Sequence, residues 1–470
     1  MTRPHAKPAL ALAAATLVAG GVLTGCSGSD AAHDDDQHAW QNAQVNAVSR
    51  ATAAAGVAAA TSMTSGGTLE TVALDLSTGK KLWSSPATMV GRLPGMGVQA
   101  PATVETGAGQ AVVVAVDPAK AGAGSAGNSA TGSAGDSAGK SKATLVARDA
   151  RTGRQRWTRP VESTFGPQRC GPYVCLSENT ALSSARVVVL EPQTGKTLWN
   201  LPGIAEVEWS DPTRVVMLRL ASHPVLEAHS LKNGKVIWQL PIEQALGPGV
   251  DLSGGWAFGS TGDNLVGYVA PYTNPQTKQT STFGLFSVQL NDGVVDWMRP
   301  SVVRVYPSGN PAFAPVVRPV DEQGQYGGFA RLDGETGRVL GQITPTQVPG
   351  SGWWLAFPNA MDKLGFLKRG APGSAFDLTT GEPTPVKGAS GWSFCVTDPK
   401  PLSLTGMTPG FYSIAALCEF DLATGRRISS STPPPAWFTG SQNGWRLWRD
   451  EKGALHAVND GTATTPGMYG

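Results

Sequence analysis

The sequence predicts an all-β protein: a β-propeller of four-stranded blades, eight in number with seven as the alternative, behind a leader and a flexible tether. Three observations predict it. A short phrase, consisting of a strand end, a Thr-Gly-type turn and a returning strand, is written eight times. The later copies recur every 44 residues. Between copies stand apolar segments of five to eight residues bounded by Gly, Pro and Asn, and no segment keeps a helical period. About four strands per repeat, in a closed or stacked array, is the arithmetic of a propeller. The composition agrees. With 58 Gly, 35 Pro and only 15% charged residues in 470, the chain is rich in turns and poor in long solvated helices.

Residues 1–25 read as a secretory leader. Arg3 and Lys7 give a positive start, Ala9 to Leu23 is an apolar run, and Leu23-Thr24-Gly25-Cys26 closes it. That ending resembles the bacterial lipoprotein signal, in which the cysteine is lipidated and becomes the new N-terminus. Cys26 is therefore the expected lipidation site, and the run is too short for a comfortable span. Cleavage there removes two of the 37 basic residues and none of the 35 acidic ones. A neutral mature chain has no electrostatic case for nucleic acid. Residues 26–42, with Asp34-Asp35-Asp36 inside them, read as a solvated tether.

Residues 43–460 read as the propeller. The first copy is ALDLSTGKKLW, with Gly79 and Trp83. Next come DARTGRQRW (Gly153, Trp157), EPQTGKTLW (Gly195, Trp199), SLKNGKVIW (Gly234, Trp238) and QLNDGVVDW (Gly293, Trp297). The last three copies keep the turn at Gly337, Gly381 and Gly425, but Gly341, Pro385 and Ser429 stand where Trp stood. Gly takes a positive φ at no steric cost, so it belongs in the turn. An acidic or hydroxyl residue before it ties the loop by accepting backbone hydrogen bonds. The Trp is large enough to fill the space against a neighbouring blade, and it offers one N–H.

The first gap between copies, 74 residues, holds a Gly/Ala/Ser-rich insertion at 118–143, a long loop between two strands of one repeat. The 59-residue gap holds a second polar loop, Ala270 to Thr282. Arg446 to Asp460 reads as strands without a turn phrase, suited to closing the ring against N-terminal residues, and 461–470 is a tail.

The phrase (A/V)-x-D-x-x-T-G-x-x-x-W resembles the tryptophan-docking repeat of the quinoprotein-type, or PQQ-like, β-propellers, over about residues 43 to 460. The family divides. Some members are quinone-cofactor dehydrogenases. Others are cofactor-free extracytoplasmic scaffolds or sensors, among them a lipoprotein that assists outer-membrane protein assembly. The dehydrogenase pattern requires two adjacent cysteines against the quinone and a calcium held by Glu, Asn and Asp. No two cysteines are adjacent here, and the phrase aspartates are accounted for by their turns. No cofactor and no metal are expected.

Four cysteines remain after Cys26, an even number in an exported chain. Cys170 and Cys175 flank a Gly171-Pro172 turn, and Cys395 and Cys418 share one repeat. Both pairs are disulfide candidates among three possible connectivities. No catalytic constellation stands out: Gly135 to Gly139 matches G-x-S-x-G only inside the Gly/Ser-rich insertion. Nine Trp lie outside the phrase, at 40, 209, 256, 353, 354, 392, 437, 445 and 448. Trp353-Trp354 would point to opposite faces of a strand, with one free for a contact.

The expected function is a non-catalytic, monomeric platform for a protein partner in the cell envelope. It would be held by its lipid at the outer face of the cytoplasmic membrane, or on the periplasmic side where an outer membrane exists. Binding of a small ligand or glycan in the central funnel is the alternative, and a PQQ-dependent dehydrogenase ranks below it.

Overall fold

The computed structural model describes residues 39–89, 98–119, 143–178, 185–306 and 316–344 (except 322–324 and 326), and beyond them strands and short turns between 353 and 459. Of the strands between 353 and 442, only the backbone is described.

Six sheets of four antiparallel strands follow one another along the chain, each in simple sequential order. Sheet 1 comprises Ala47–Ala54, Val57–Met63, Leu69–Asp75 and Lys81–Pro86. Sheet 2 comprises Ala102–Gly107, Gln110–Pro118, Ala143–Asp149 and Gln155–Val161. Its second and third strands pair across the Gly/Ala/Ser-rich insertion, Pro118 opposite Ala143. Sheet 3 comprises Ser163–Cys170, Tyr173–Glu178, Arg186–Leu190 and Thr197–Pro202. Sheet 4 comprises Ala205–Ser210, Arg214–Arg219, Val225–Ser230 and Val236–Pro241. Sheet 5 comprises Trp256–Thr261, Asn264–Val269, Gly284–Gln289 and Val295–Pro300. Sheet 6 comprises Val302–Tyr306, Val316–Pro319, Phe329–Leu332 and Val339–Ile343. The one α-helix among the described residues, Ile242–Leu246, bridges sheets 4 and 5 and buries Ile242, Ala245 and Leu246.

The middle strands explain the unbroken apolar runs of the sequence. Asn264–Val269 is buried at every residue, and Val57–Met63 at all but its last. Such strands have a neighbouring sheet on each face, so alternation gives way to continuous apolar character. The core is accordingly a series of layers between sheets. Leu218, Leu226 and Trp238 of sheet 4 pack with Leu265, Phe286 and Val288 of sheet 5. Ala102, Val114 and Leu145 of sheet 2 pack with Val174, Leu176 and Val188 of sheet 3. First strands of neighbouring sheets touch along the run from sheet 1 to sheet 5, so they form the inner ring. The fourth strands are the outer edges.

The remaining strands form one eleven-stranded sheet. It holds the seventh and eighth copies and the closing strands Ala436–Gln442, Trp445–Asp450 and Leu455–Asn459. Its last strand is N-terminal: Ala39–Asn42 pairs antiparallel with Leu455–Asn459, Trp40 opposite Ala457. Chain ends are thereby sewn together, and Val45, Ala47 and Leu74 share a core with Leu447, Leu455 and Ala457.

Candidate functional site

The Thr-Gly turns have one geometry in all six four-stranded sheets. In the first, the Gly79 N–H donates to the Asp75 carbonyl (2.8 Å), and Asp75 Oδ1 accepts from the N–H groups of Ser77 and Thr78, both at 3.1 Å. Burial pushes the Asp75 carboxyl up, but these hydrogen bonds and the two hydroxyls outweigh it and leave the pKa lowered. Asp149 repeats the arrangement with Arg156 added; against the same burial its pKa falls to about 2.

Each turn receives a Trp from the preceding sheet. The indole N–H of Trp83 donates to Ala150 O (2.7 Å), Trp157 to Pro192 O (2.8 Å), Trp199 to Leu231 O (2.9 Å), Trp238 to Leu290 O (2.9 Å) and Trp297 to Gly334 O (3.1 Å). In every case the acceptor lies three residues before the turn glycine. The ring then lies against that glycine: a Cβ on Gly293 would sit 2.7 Å from Trp238, and one on Gly153 the same distance from Trp83. Glycine is thus required twice, for its positive φ and for the approach of the indole.

Trp40, outside the phrase in the sequence reading, is the missing member of this set. It donates to Leu76 O at 2.7 Å and lies on Gly79. Its strand belongs to the closing sheet and has no Thr-Gly turn of its own, so no local signal marked it. The spacing AWQN ahead of the first copy was the only clue.

Charged groups buried between strands form closed knots. In sheet 4, Glu227 is 2% exposed. It accepts from Arg219 Nε (3.0 Å) and Nη2 (2.7 Å) and from Gln239 Nε2 (2.9 Å). His229, fully buried and stacked on Trp199, sets Nε2 3.0 Å from Glu227 Oε2 and Nδ1 3.1 Å from the Gly234 carbonyl. Glu178 is held in the same way between Arg159 of sheet 2 and Arg186 of its own sheet. These knots tie elements together.

Two other regions carry unusual groups. The first is the inner ring. Glu206 and Glu208 sit two apart on the first strand of sheet 4, and Glu208 is the extra residue of a bulge between Val207 and Trp209. Trp256 of sheet 5 donates to Glu208 Oε1 at 2.7 Å. Burial pushes both carboxyls up; the Arg50 charge on sheet 1 partly restrains Glu206, while the Glu206 charge drives Glu208 further, well above the usual range. Arg50 and Glu206 come from sheets 1 and 4, so they face a shared interior. The pair was not singled out in the sequence, where AEVEWS reads as an ordinary alternating strand. Because the raised pKa belongs to the folded state, the charged pair costs stability as pH rises through it. Glu208→Gln keeps an acceptor for Trp256; above about pH 5 it should raise stability relative to the native chain, by an increment that grows with pH and vanishes in acid, as read by thermal melting across pH.

The second region is the outer flank. Of the seven exposed large apolar residues among the described ones, six lie on or at the start of the outer strands of sheets 3 to 6: Leu198, Val236, Ile237, Val294, Met298 and Val339. A bulge accounts for two of them, Leu198 and Ile237. Ala228 pairs with Trp238 and His229 with Val236, leaving Ile237 as an extra residue. Sheet 3 does the same at Leu198. The bulge turns the Trp inward while two consecutive apolar residues of sheet 4, Val236 and Ile237, face solvent.

Cys170 and Cys175 form a disulfide across the hairpin of sheet 3. Cys395 and Cys418 lie on paired strands, Cys395 opposite Ala416 and Ser393 opposite Cys418, with their side chains outside the described residues. Trp353 and Trp354 begin the strand Trp353–Phe357, again without described side chains. Cys26, the tether up to residue 38, the insertion at 120–142 with Gly135 to Gly139, Gly381, Gly425, Pro385, Ser429 and the tail also lie outside the described residues, whereas 39–42, expected as the end of the tether, form the strand Ala39–Asn42 because its backbone pairs with Leu455–Asn459 and Trp40 docks on the first turn. Among the described residues, no group of three His, Cys, Asp or Glu is placed to hold a metal ion.

No protein-family model matches this chain, and no curated protein does. Solved structures resemble it in fold. BamB from Moraxella catarrhalis is 12% identical with a TM-score of 0.43, over 90% of this chain and 98% of its own. Sqt1 from Saccharomyces cerevisiae is 9% identical with a TM-score of 0.42, over 89% and 97%. Quinohemoprotein alcohol dehydrogenase from Comamonas testosteroni is 11% identical with a TM-score of 0.37, over 91% and 77%. These likenesses concern architecture alone.

Proposed function

We propose that this chain is a non-catalytic, membrane-anchored platform that binds a protein partner in the cell envelope along the outer flank of sheets 3 to 6. The observation that carries the proposal is the apolar flank itself. Large apolar groups are concentrated on four consecutive outer strands, and each of these strands is a sheet edge with unpaired backbone N–H and C=O groups. Such an edge fits an extended segment of a partner, which would gain ladder hydrogen bonds from the backbone and specificity from pockets between side chains. The lipid on Cys26 would concentrate the platform at the membrane.

The test is a double substitution, Leu198→Asp with Ile237→Asp. Both positions are exposed, so stability should stay within about 0.5 kcal/mol of the native chain. Recovery of the partner by crosslinking from native membranes should be lost. Unchanged recovery would reject the flank as the binding surface. A Cys26→Ala chain run alongside reports how far recovery depends on the anchor.

A second reading, capture of a small ligand on the ring axis, is favoured by Glu206 and Glu208. Two carboxyls whose charge is suppressed by burial would gain from a cationic group between them. Calorimetric titration with a polyamine tests this, and absence of heat that Glu208→Gln would abolish removes it.

A further inference from the structure

The turns place a strongly polarised charge pattern on one end of the ring. In each four-stranded sheet the turns between strands one and two and between strands three and four lie at the same end, because the strands are antiparallel and sequential. All six described Thr-Gly turns therefore share one face. The residue after the turn glycine is basic in sheets 1 to 4: Lys80, Arg154, Lys196 and Lys235, with Lys232 also in the fourth turn. All five are exposed, and none makes a side-chain hydrogen bond or ion pair among the described residues. The carboxylates of the first three turns, Asp75, Asp149 and Glu191, are occupied by turn N–H groups, and Asp75 and Asp149 also by Arg151 and Arg156. Asp211, on the hairpin of sheet 4 at the same end, is paired with Arg214. In sheet 5 the residue after the glycine is Val294, beside Asp292, and in sheet 6 it is Arg338, beside Glu335. Among the described turns, the basic half of the face with free cations is thus that of sheets 1 to 4.

The chain also enters at this end. Ala39–Asn42 is the fourth strand of the closing sheet, and Trp40 docks on sheet 1 as Trp83 docks on sheet 2. A fourth strand begins at the turn face, so Ala39 lies there, next to the basic half. Whatever is carried upstream is attached to this face. From Cys26 to Ala39 the backbone spans at most about 45 Å when fully extended.

We propose that the basic half of the turn face, sheets 1 to 4, rests on the anionic phospholipid surface of the membrane that holds the anchor. The inference rests on the anchoring part of the proposed function, and not on the flank. A set of cations distributed over four coplanar turns matches an extended, flat, anionic surface. A single acidic peptide would engage one or two turns. The first described strand begins beside these cations, so a ring tethered through Cys26 would meet the bilayer with this face. That orientation leaves the outer flank of sheets 3 to 6 directed along the membrane plane, open to a neighbouring envelope protein. Surface cations near an anionic leaflet gain from its negative potential, and the gain is screened by salt.

The test uses the full chain with Cys26→Ala, so that acylation does not mask the result, sedimented with phosphatidylcholine vesicles made with and without phosphatidylglycerol. Greater binding to the phosphatidylglycerol vesicles, lost at high salt, is expected. Lys196→Glu with Lys235→Glu should lower it about tenfold or more. Lys278→Glu should leave it unchanged, since Lys278 lies in the loop between strands two and three of sheet 5, at the opposite end. Equal melting temperatures for the variants exclude misfolding. Equal binding to both vesicles, or insensitivity to the double reversal, would overturn the proposal and leave an acidic protein as the occupant of this face. Failure here would not touch the flank, whose own test reads a crosslinked protein.

Discussion

Trp238→Ala is expected to cost about 3–5 kcal/mol of stability, the range for removing a large buried aromatic side chain. Trp238 is 6% exposed and lies in the core shared by sheets 4 and 5. Its removal leaves a cavity between the two sheets, and the Leu290 carbonyl, which accepts its N–H at 2.9 Å, keeps only the Arg214 Nη1 donor, also at 2.9 Å. The matching change on the other side of the seam is Gly293→Ala. Its φ of +75° costs a β-carbon about 1–2 kcal/mol, and that carbon would sit 2.7 Å from the indole. The two changes should therefore couple. In the Trp238→Ala background, Gly293→Ala should keep its backbone cost and lose the steric one. Urea denaturation of the four proteins measures this directly. Additive costs would mean that ring and glycine do not meet.

Glu227→Gln is expected to be similarly severe, about 3–5 kcal/mol, because it takes the shared carboxylate from the buried His229 ring and the part-exposed Arg219 guanidinium. The amide would also present its NH₂ to one of the groups that now donate to the carboxylate. The same knot fixes a pH dependence. Burial pushes the Glu227 carboxyl up; hydrogen bonds from His229 and Arg219, and their charges, overcome that and bring its pKa to about 2 from an ordinary 4.5. A depressed acid stabilises the fold above the unfolded-state pKa, and the contribution is lost as pH falls through the folded value. The window thus runs from about pH 4.5 down to about pH 2, with on the order of 3 kcal/mol at stake. Acid titration of the native chain beside Glu227→Gln should show the native protein losing more stability across that window. Parallel curves would show that Glu227 is not held this way.

The propeller was legible because its punctuation is local. A Thr-Gly turn and the Trp four residues after it are set by backbone conformation and by one side chain, and both repeat along the chain. Trp40 was hidden because its glycine lies 39 positions later and its partner strand, Leu455–Asn459, more than 400 residues away. The inner carboxyls were hidden for another reason. Glu206 and Glu208 look like the solvent side of an alternating strand, and only ring closure turns that side toward the axis and raises their pKa values. The flank was hidden by period. In Val236-Ile237-Trp238 an ideal strand would put Val236 on the buried side with Trp238, but the bulge inserts Ile237 and leaves both aliphatics exposed. Bulges of this kind have no dependable signature in one sequence.

The most direct test of the platform is photocrosslinking from the flank in living cells. A photoreactive residue at Ile237 should yield one discrete protein adduct, and the same residue at Lys278, on the far end of sheet 5, should not. No adduct from Ile237, or the same adducts from both positions, would contradict the assignment of the sheet 3 to sheet 6 flank as the partner-binding surface.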